Sequence, residues 1–484
     1  MPRLRKIFII YFLQNRKFFF HIWRYYCSIY ENITNSRKML IEFSVGNFRS
    51  IKDLQTLSFV AAPMKEHLET NTFKASNRMR LLKSAGIYGA NGSGKSNLVK
   101  ALWAMLNFIT APFDEKKKFN EYIEPFKANI ATRDKATFFQ IVFIVDNKKY
   151  RYGFEYQQGR ILAEWLFGTA NKNEVEYFTR ENKDIFIKEH FNEAVGLETK
   201  TRENNLLLNV AYEFNGEVST TIFNYLSAIE VIKGIDKNIE DVTIRGSSID
   251  YLENREDKKL LLELLNLSGS NIIDLVLNDT KANILENFGI SAENIDDENL
   301  TFQDFFKQID ASKLNDLIES ATFEGNYGSL NTITSKKNTY DENGILIGQA
   351  NFDFDKAESE GTKKLFNYAG VILNALKNNR VLIIDEFDAR FHSNITKTIV
   401  KLFNSNKNQA AQLFFVTHDT NLLDADLLRR DQIYFSEINL KGETTIFSLA
   451  DFNGVRNDAS FEKDYLKGKY GAIPYVGNIK KILA

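Results

Sequence analysis

The sequence predicts an α/β fold that carries an antiparallel β lobe and an inserted helical subdomain, and three observations predict it. A short apolar strand, Ser84–Tyr88, runs straight into a glycine-rich loop that opens a helix. Two further runs, Val381–Ile384 and Leu413–Val416, are apolar throughout, the pattern of parallel strands buried on both faces. Between the glycine-rich loop and Val381, text from Thr137 to about Ile187 alternates in the manner of antiparallel strands, and text from about Ile235 to Ser320 is helical and acidic.

Taken in order, Leu40–Val45 and Leu54–Val60 read as strands that precede the glycine-rich loop. In the helix after the loop, Leu98, Leu102, Met105 and Leu106 recur at helical spacing. Phe138–Val145 and Lys149–Tyr156, joined by Asp146-Asn147, form a predicted hairpin. The apolar content of the insertion is Leu260–Leu262, Leu264-Leu265 and Ile272–Leu277; it has no sustained heptads, so no long coiled coil is expected. Strand and turn text resumes near Asn331 and leads to Ala357–Thr362, after which Leu365, Ala369, Ile372 and Leu376 mark an amphipathic helix. The expected organisation is a basic leader at 1–38, a first lobe at 39–234, the insertion at 235–322 and a second lobe at 323–484.

A formal net charge of −1 over 484 residues gives no global attraction to nucleic acid or membrane. A single cysteine, Cys27, excludes an internal disulfide, and the five histidines form no zinc pattern, so a reducing cytoplasm is the expected compartment. The leader differs from the rest, with eight Lys/Arg against Glu31 alone. Its apolar run Ile7–Leu13 is cut by Gln14–Lys17, well short of the roughly 20 residues of a membrane span. It reads as an appended or mis-started segment, with a basic arm touching nucleic acid or anionic lipid as the alternative.

The chemistry begins with Gly89-Ala90-Asn91-Gly92-Ser93-Gly94-Lys95-Ser96, a complete G-x-x-x-x-G-K-S. Such a loop turns successive backbone N–H groups toward phosphates, and the helix it opens adds its positive end. Lys95 would reach the β- and γ-phosphates, Ser96 would offer its hydroxyl to Mg²⁺, and Gly89, Gly92 and Gly94 would permit close backbone approach. Asn97 follows at the start of the same helix. At the end of Val381–Ile384, Asp385 would hold Mg²⁺ and Glu386 would act as general base or position the attacking water; the plain alternative is a strand surfacing at an acidic turn. His418, after the next apolar strand, would contact the γ-phosphate and the water, against a merely structural histidine. Ser359-Glu360-Gly361-Thr362 opens a helix, either as an anion site or as a simple N-cap. Gln140 and the pair Asp353/Asp355 read as structural.

The segments Asn47–Ser50, the glycine-rich loop, Glu358–Leu365 and Thr417–Leu423 together resemble the RecF/SMC-like, ABC-type P-loop ATPases of bacterial abortive-infection systems. The tail segments Leu427–Ile433 and Tyr465–Pro474 are similar to the AbiL/RloA branch, and the resemblance runs from about Met39 onward. It implies an ABC/SMC-type head that uses ATP and Mg²⁺, with slow hydrolysis coupled to assembly. In the head-to-tail dimer it implies, Ser359 and Gly361 serve the phosphate held by the opposite subunit, and Arg49 and Ser50 approach the nucleotide. A separately encoded, Toprim-like nuclease effector is the implied partner, with DNA or a phage protein as further ones and no membrane. About 30 residues follow Phe452, fewer than the roughly 100 of a usual domain, so a nuclease is not expected in that stretch. The rival expectations are a RecF-like DNA-repair ATPase acting directly on DNA, and a nucleotide-dependent scaffold that rarely turns over.

Overall fold

The computed structural model describes residues 38–113, 116–170, 173–234, 240–278, 332–389, 391–455 and 460–473. The basic leader apart from Lys38, the part of the insertion at 279–322 and the start of the second lobe at 323–331 lie outside the described residues. The chain divides into two compact units, one of residues 1–234, 375–389 and 396–484, the other of 235–374 and 390–395.

The first unit is built on a six-stranded sheet in the order Glu230–Ile232, Val381–Ile384, Gln412–Val416, Ser84–Tyr88, Ile433–Ile438, Thr444–Ser448. The first five strands are parallel and the last is antiparallel. Val381–Ile384, Gln412–Val416 and Ser84–Tyr88 are buried along their whole length, which is why, their first residues Gln412 and Ser84 apart, they are apolar without alternation. Gly86 allows the close fit of the centre: a Cβ there would lie 2.4 Å from the ring of Phe415 on the neighbouring strand. The helix Lys95–Thr110 follows the loop and buries Leu98, Leu102, Met105 and Leu106, the residues whose spacing predicts it.

A seven-stranded antiparallel sheet forms the lobe, in the order Asp184–Ile187, Asn173–Glu181, Arg160–Ala170, Lys148–Gln157, Thr137–Val145, Met39–Gly46, Gln55–Ser58. Asp146 and Asn147 turn its central hairpin with φ of 52° and 60°, the left-handed pair that a tight hairpin of this twist requires. Phe43, Phe139 and Phe154 from this sheet share one apolar core with Ile87, Leu102 and Phe108. Within it the buried Glu164 accepts from Tyr152 Oη at 2.9 Å and from the amides of Leu207 and Leu208 at 2.7 and 3.2 Å, so the carboxylate finishes a helix start.

The second unit holds the helices Glu240–Glu253 and Arg255–Asn266, and a three-stranded antiparallel sheet of Asp274–Leu277, Ile333–Tyr340 and Leu346–Asp353. Here Ile272–Leu277, expected as part of helical text, is instead a strand and its lead-in. The run is too short to fill a helix, and its pairing partners lie beyond residue 332, where local pattern cannot reveal them. The helix Glu360–Lys377 starts in this unit. Ser248 Oγ accepts from the amide of Gly370 at 2.7 Å and donates to the carbonyl of Phe366, four residues before it, at 2.5 Å, so a foreign hydroxyl enters the ladder of that helix. Asp353 caps the turn Phe354–Ala357, and Asp355 takes both terminal nitrogens of Arg245 at 2.8 and 2.7 Å, so the two acids have the structural employment expected of them. Among the described residues no helix is long and apolar enough to cross a membrane.

Candidate nucleotide site

The parallel strands of the first unit end their C-terminal sides together, and this edge is where an open α/β sheet presents a ligand site. Gly89, Gly92 and Gly94 take φ of 152°, 77° and 99°. Gly94 is the N-cap of the helix and offers no side-chain cap; the first turn also has no acidic residue, so the positive helix end is left to a ligand. Lys95 is buried and its ammonium donates to the carbonyls of Gly89 and Ala90 at 2.7 and 2.9 Å. Burial pulls its pKa down to about 8, against the opposing pull of Asp385 and Asp388. A charge held this way has much to gain from a polyphosphate.

Ser96 Oγ donates to Asp385 Oδ1 at 3.1 Å. Asp385 is placed by its own amide, which donates to Ile232 O at 2.9 Å, and burial raises its pKa while the Ser96 hydrogen bond opposes the rise. A hydroxyl and a carboxylate side by side are two hard oxygen donors, the set that Mg²⁺ takes, so these residues fit the ion expected of them. Glu386 sits at φ 51°, a left-handed conformation that costs a non-glycine residue about 1–2 kcal/mol. A Cβ on Gly234 would lie 2.7 Å from that of Glu386, so the absence of a side chain there makes room for the turn. His418 is exposed at the end of the adjacent strand, and partial desolvation followed by the charge of Lys95 holds it below the ordinary imidazole range.

Ser50 also lies at the loop: its Oγ accepts from Asn97 Nδ2 at 2.7 Å and is hydrogen-bonded to Thr444 Oγ1 at 2.8 Å. Arg49, by contrast, turns to Glu124, with its amide 2.8 Å from that residue's carbonyl and its guanidinium 3.7 Å from the carboxylate. Ala90 and Asn91 complete the loop at its outer side, and Ser93 is buried beneath it. Ser359 and Gly361 belong to the second unit, where Ser359 Oγ accepts from the amide of Thr362 at 3.2 Å in the manner of an N-cap. Gln140 accepts from Trp165 Nε1 at 3.2 Å within the antiparallel sheet.

Sequence reasoning missed four residues of this cluster. Ser436 Oγ and Thr444 Oγ1 donate to the carbonyl of Ser93 at 2.8 and 3.0 Å and pin the loop to the last two strands. Asp388 accepts from Thr417 and from the amide of His418, and Gly234 faces Glu386. None carries a spacing signal, because each is a lone residue in a turn or a late strand.

No curated protein matches the chain. Among solved structures, it is similar to an SMC head domain from Thermotoga maritima at 12% identity and a TM-score of 0.38, covering 85% of this chain and 98% of that one. An SMC head bound to the C-winged helix domain of ScpA aligns at 13% identity and a TM-score of 0.41, with the same coverage of 85% and 98%. An SMC head with an extended coiled coil, bound to the C-terminal domain of ScpA and derived from Pyrococcus furiosus, aligns at 14% and 0.35, over 85% of this chain and 96% of that one. The family described as "AAA domain, putative AbiEii toxin, Type IV TA system" matches residues 84–213 and 293–424, more than half of the 484 residues. With the phosphate loop, the acidic strand end and the histidine strand inside or beside the matched stretches, the chain belongs to this family of P-loop ATPases.

Proposed function

We propose that the chain hydrolyses Mg-ATP slowly and serves as the sensor and scaffold of an anti-phage, abortive-infection system, restraining a separately encoded nuclease or toxin. The observation that carries the enzymatic part is the pair Ser96–Asp385 at 3.1 Å beside a buried lysine and an unneutralised helix start. In this reading the backbone from Gly89 to Ser96 cradles the phosphates and Lys95 neutralises the β- and γ-oxygens. Ser96 and Asp385 would hold Mg²⁺, which when bound spreads and neutralises the phosphate charge. Glu386 would accept a proton from the attacking water or align it, and a neutral His418 would orient that water and the γ-phosphate. Ser50 and Asn97 brace the loop from below.

The regulatory part is supported by the family description, which names a putative toxin of a type IV toxin–antitoxin system, and by the resemblance of the tail to the AbiL/RloA branch. Ser359 and Gly361 would supply the second half of the ATP site to a neighbouring subunit, so that ATP holds subunits together. The test is a pair of variants. Lys95→Ala should abolish nucleotide binding, and Glu386→Gln should bind ATP, fail to turn it over, and accumulate as an ATP-dependent oligomer in size-exclusion chromatography. Wild-type turnover by Glu386→Gln would remove the assigned base, and a monomer under saturating ATP would remove the clamp.

A further inference from the structure

We infer that Asp388 is a positioning residue for hydrolysis, acting through His418; the inference rests on the reading of His418 given above. Its basis is the path of the chain beyond Glu386. The amide of Phe387 donates to Val416 O at 2.9 Å and its ring packs 5.3 Å from that of Phe415, so the turn after the acidic strand continues the parallel ladder by one residue. That extension delivers Asp388 beside Thr417 and His418. Its Oδ1 accepts from Thr417 Oγ1 at 2.6 Å and from the backbone N–H of His418 at 3.0 Å.

The contact is made to the backbone of the histidine, so it fixes where the residue sits while leaving the imidazole to the nucleotide. Thr417 passes the restraint onward: its hydroxyl donates to Asp388 and accepts from the amide of Asp419 at 3.0 Å. Asp419 in turn accepts from the amide of Asn421 at 3.1 Å, and Thr420 Oγ1 donates to Glu462 at 2.7 Å. The loop from Thr417 to Asn421 is therefore held as a unit, and Asp388 is the member that ties it to the strand carrying Asp385 and Glu386. A carboxylate taking two donors on one oxygen, one of them a main-chain amide, is a rigid link. It makes the distance between the base and the histidine a property of the fold and not of a flexible side chain.

The experiment is a kinetic cycle on the full chain. Asp388→Ala should lower kcat by about 10- to 100-fold, the penalty of misplacing a positioned group, with the affinity for ATP unchanged within about two-fold. Asp388→Asn keeps an accepting Oδ1 and should retain most of the activity. The double variant Asp388→Ala/His418→Ala should be no slower than His418→Ala alone. If the two losses multiply, Asp388 does not act through His418 and the inference fails. If His418→Ala hydrolyses ATP at the wild-type rate, the reading of His418 itself falls. Thr417→Val, which deletes one donor to Asp388 and leaves the amide, serves the same cycle if Asp388→Ala does not fold: a loss that vanishes in the His418→Ala background supports the inference, and one that persists overturns it.

Discussion

Gly94→Ala separates two physical costs that the phosphate loop avoids by having no side chain at its last turn. Gly94 has φ 99°, a conformation that an alanine adopts at a cost of about 1–3 kcal/mol. A Cβ there would also lie 2.1 Å from Thr444 Oγ1 and 2.8 Å from Ser50 Oγ and Thr444 Cγ2, an overlap of the kind that costs about 1–3 kcal/mol. The sum is about 2–6 kcal/mol. The closest overlap is with Thr444, and that share should be recovered by Thr444→Ala, which alone gives up hydrogen bonds to Ser93 O and Ser50 Oγ worth about 1 kcal/mol each. The double variant should therefore be more stable than the sum of the singles by about 1–3 kcal/mol. The assay is the urea midpoint at which binding of a fluorescent ATP analogue is lost, measured for the four proteins of the cycle. Strict additivity would refute the reasoning, because it would show that the alanine does not meet Thr444.

Two more expectations concern the free protein. Lys95, with its pKa near 8 by burial, carries its proton below that pH; a bound polyphosphate raises the pKa, so affinity for ATP is full below about pH 8 and falls as pH rises beyond it. Calorimetry at pH 8.5 in buffers of different ionisation heat should register proton uptake on binding; equal heats in the wild type would contradict the shift. In the second unit, a Cβ on Gly370 would lie 2.4 Å from the backbone of Ser247 and Ser248, so Gly370→Ala should speed hydrogen exchange in 240–253 and 360–374, and unchanged protection would deny the close approach.

Much of the site was legible because its chemistry sits where apolar strands end. Ala85–Tyr88, Val381–Ile384 and Leu413–Val416 are uninterrupted apolar runs, and each ends at once in a glycine-rich loop or a polar cluster, as the edge of a buried sheet requires. Sequence order could not show that Ser84–Tyr88 lies between strands from 412–416 and 433–438. The pins of the loop were hidden for the same reason: Ser436 and Thr444 look like ordinary strand residues, and only tertiary pairing brings their hydroxyls under Ser93. The strand Asp274–Leu277 was misread because four residues show no period, and its partners follow a long intervening stretch. The left-handed φ of 50° at Arg49 and its contact with Glu124 are local turn geometry that a pattern does not encode.

The strand order also sets a schedule. Ser84–Tyr88 is made early, yet both of its neighbours, Gln412–Val416 and Ile433–Ile438, are made more than 300 residues later. At about 5–20 residues per second, that interval is roughly 15–65 s during which an apolar strand and its phosphate loop leave the ribosome without their sheet. ATP therefore has no finished pocket to enter until nearly the whole chain has emerged, and a prematurely ended chain would carry the P-loop text without a working P-loop. On this order, completion of the last two strands is the moment at which the phosphate loop gains its sheet.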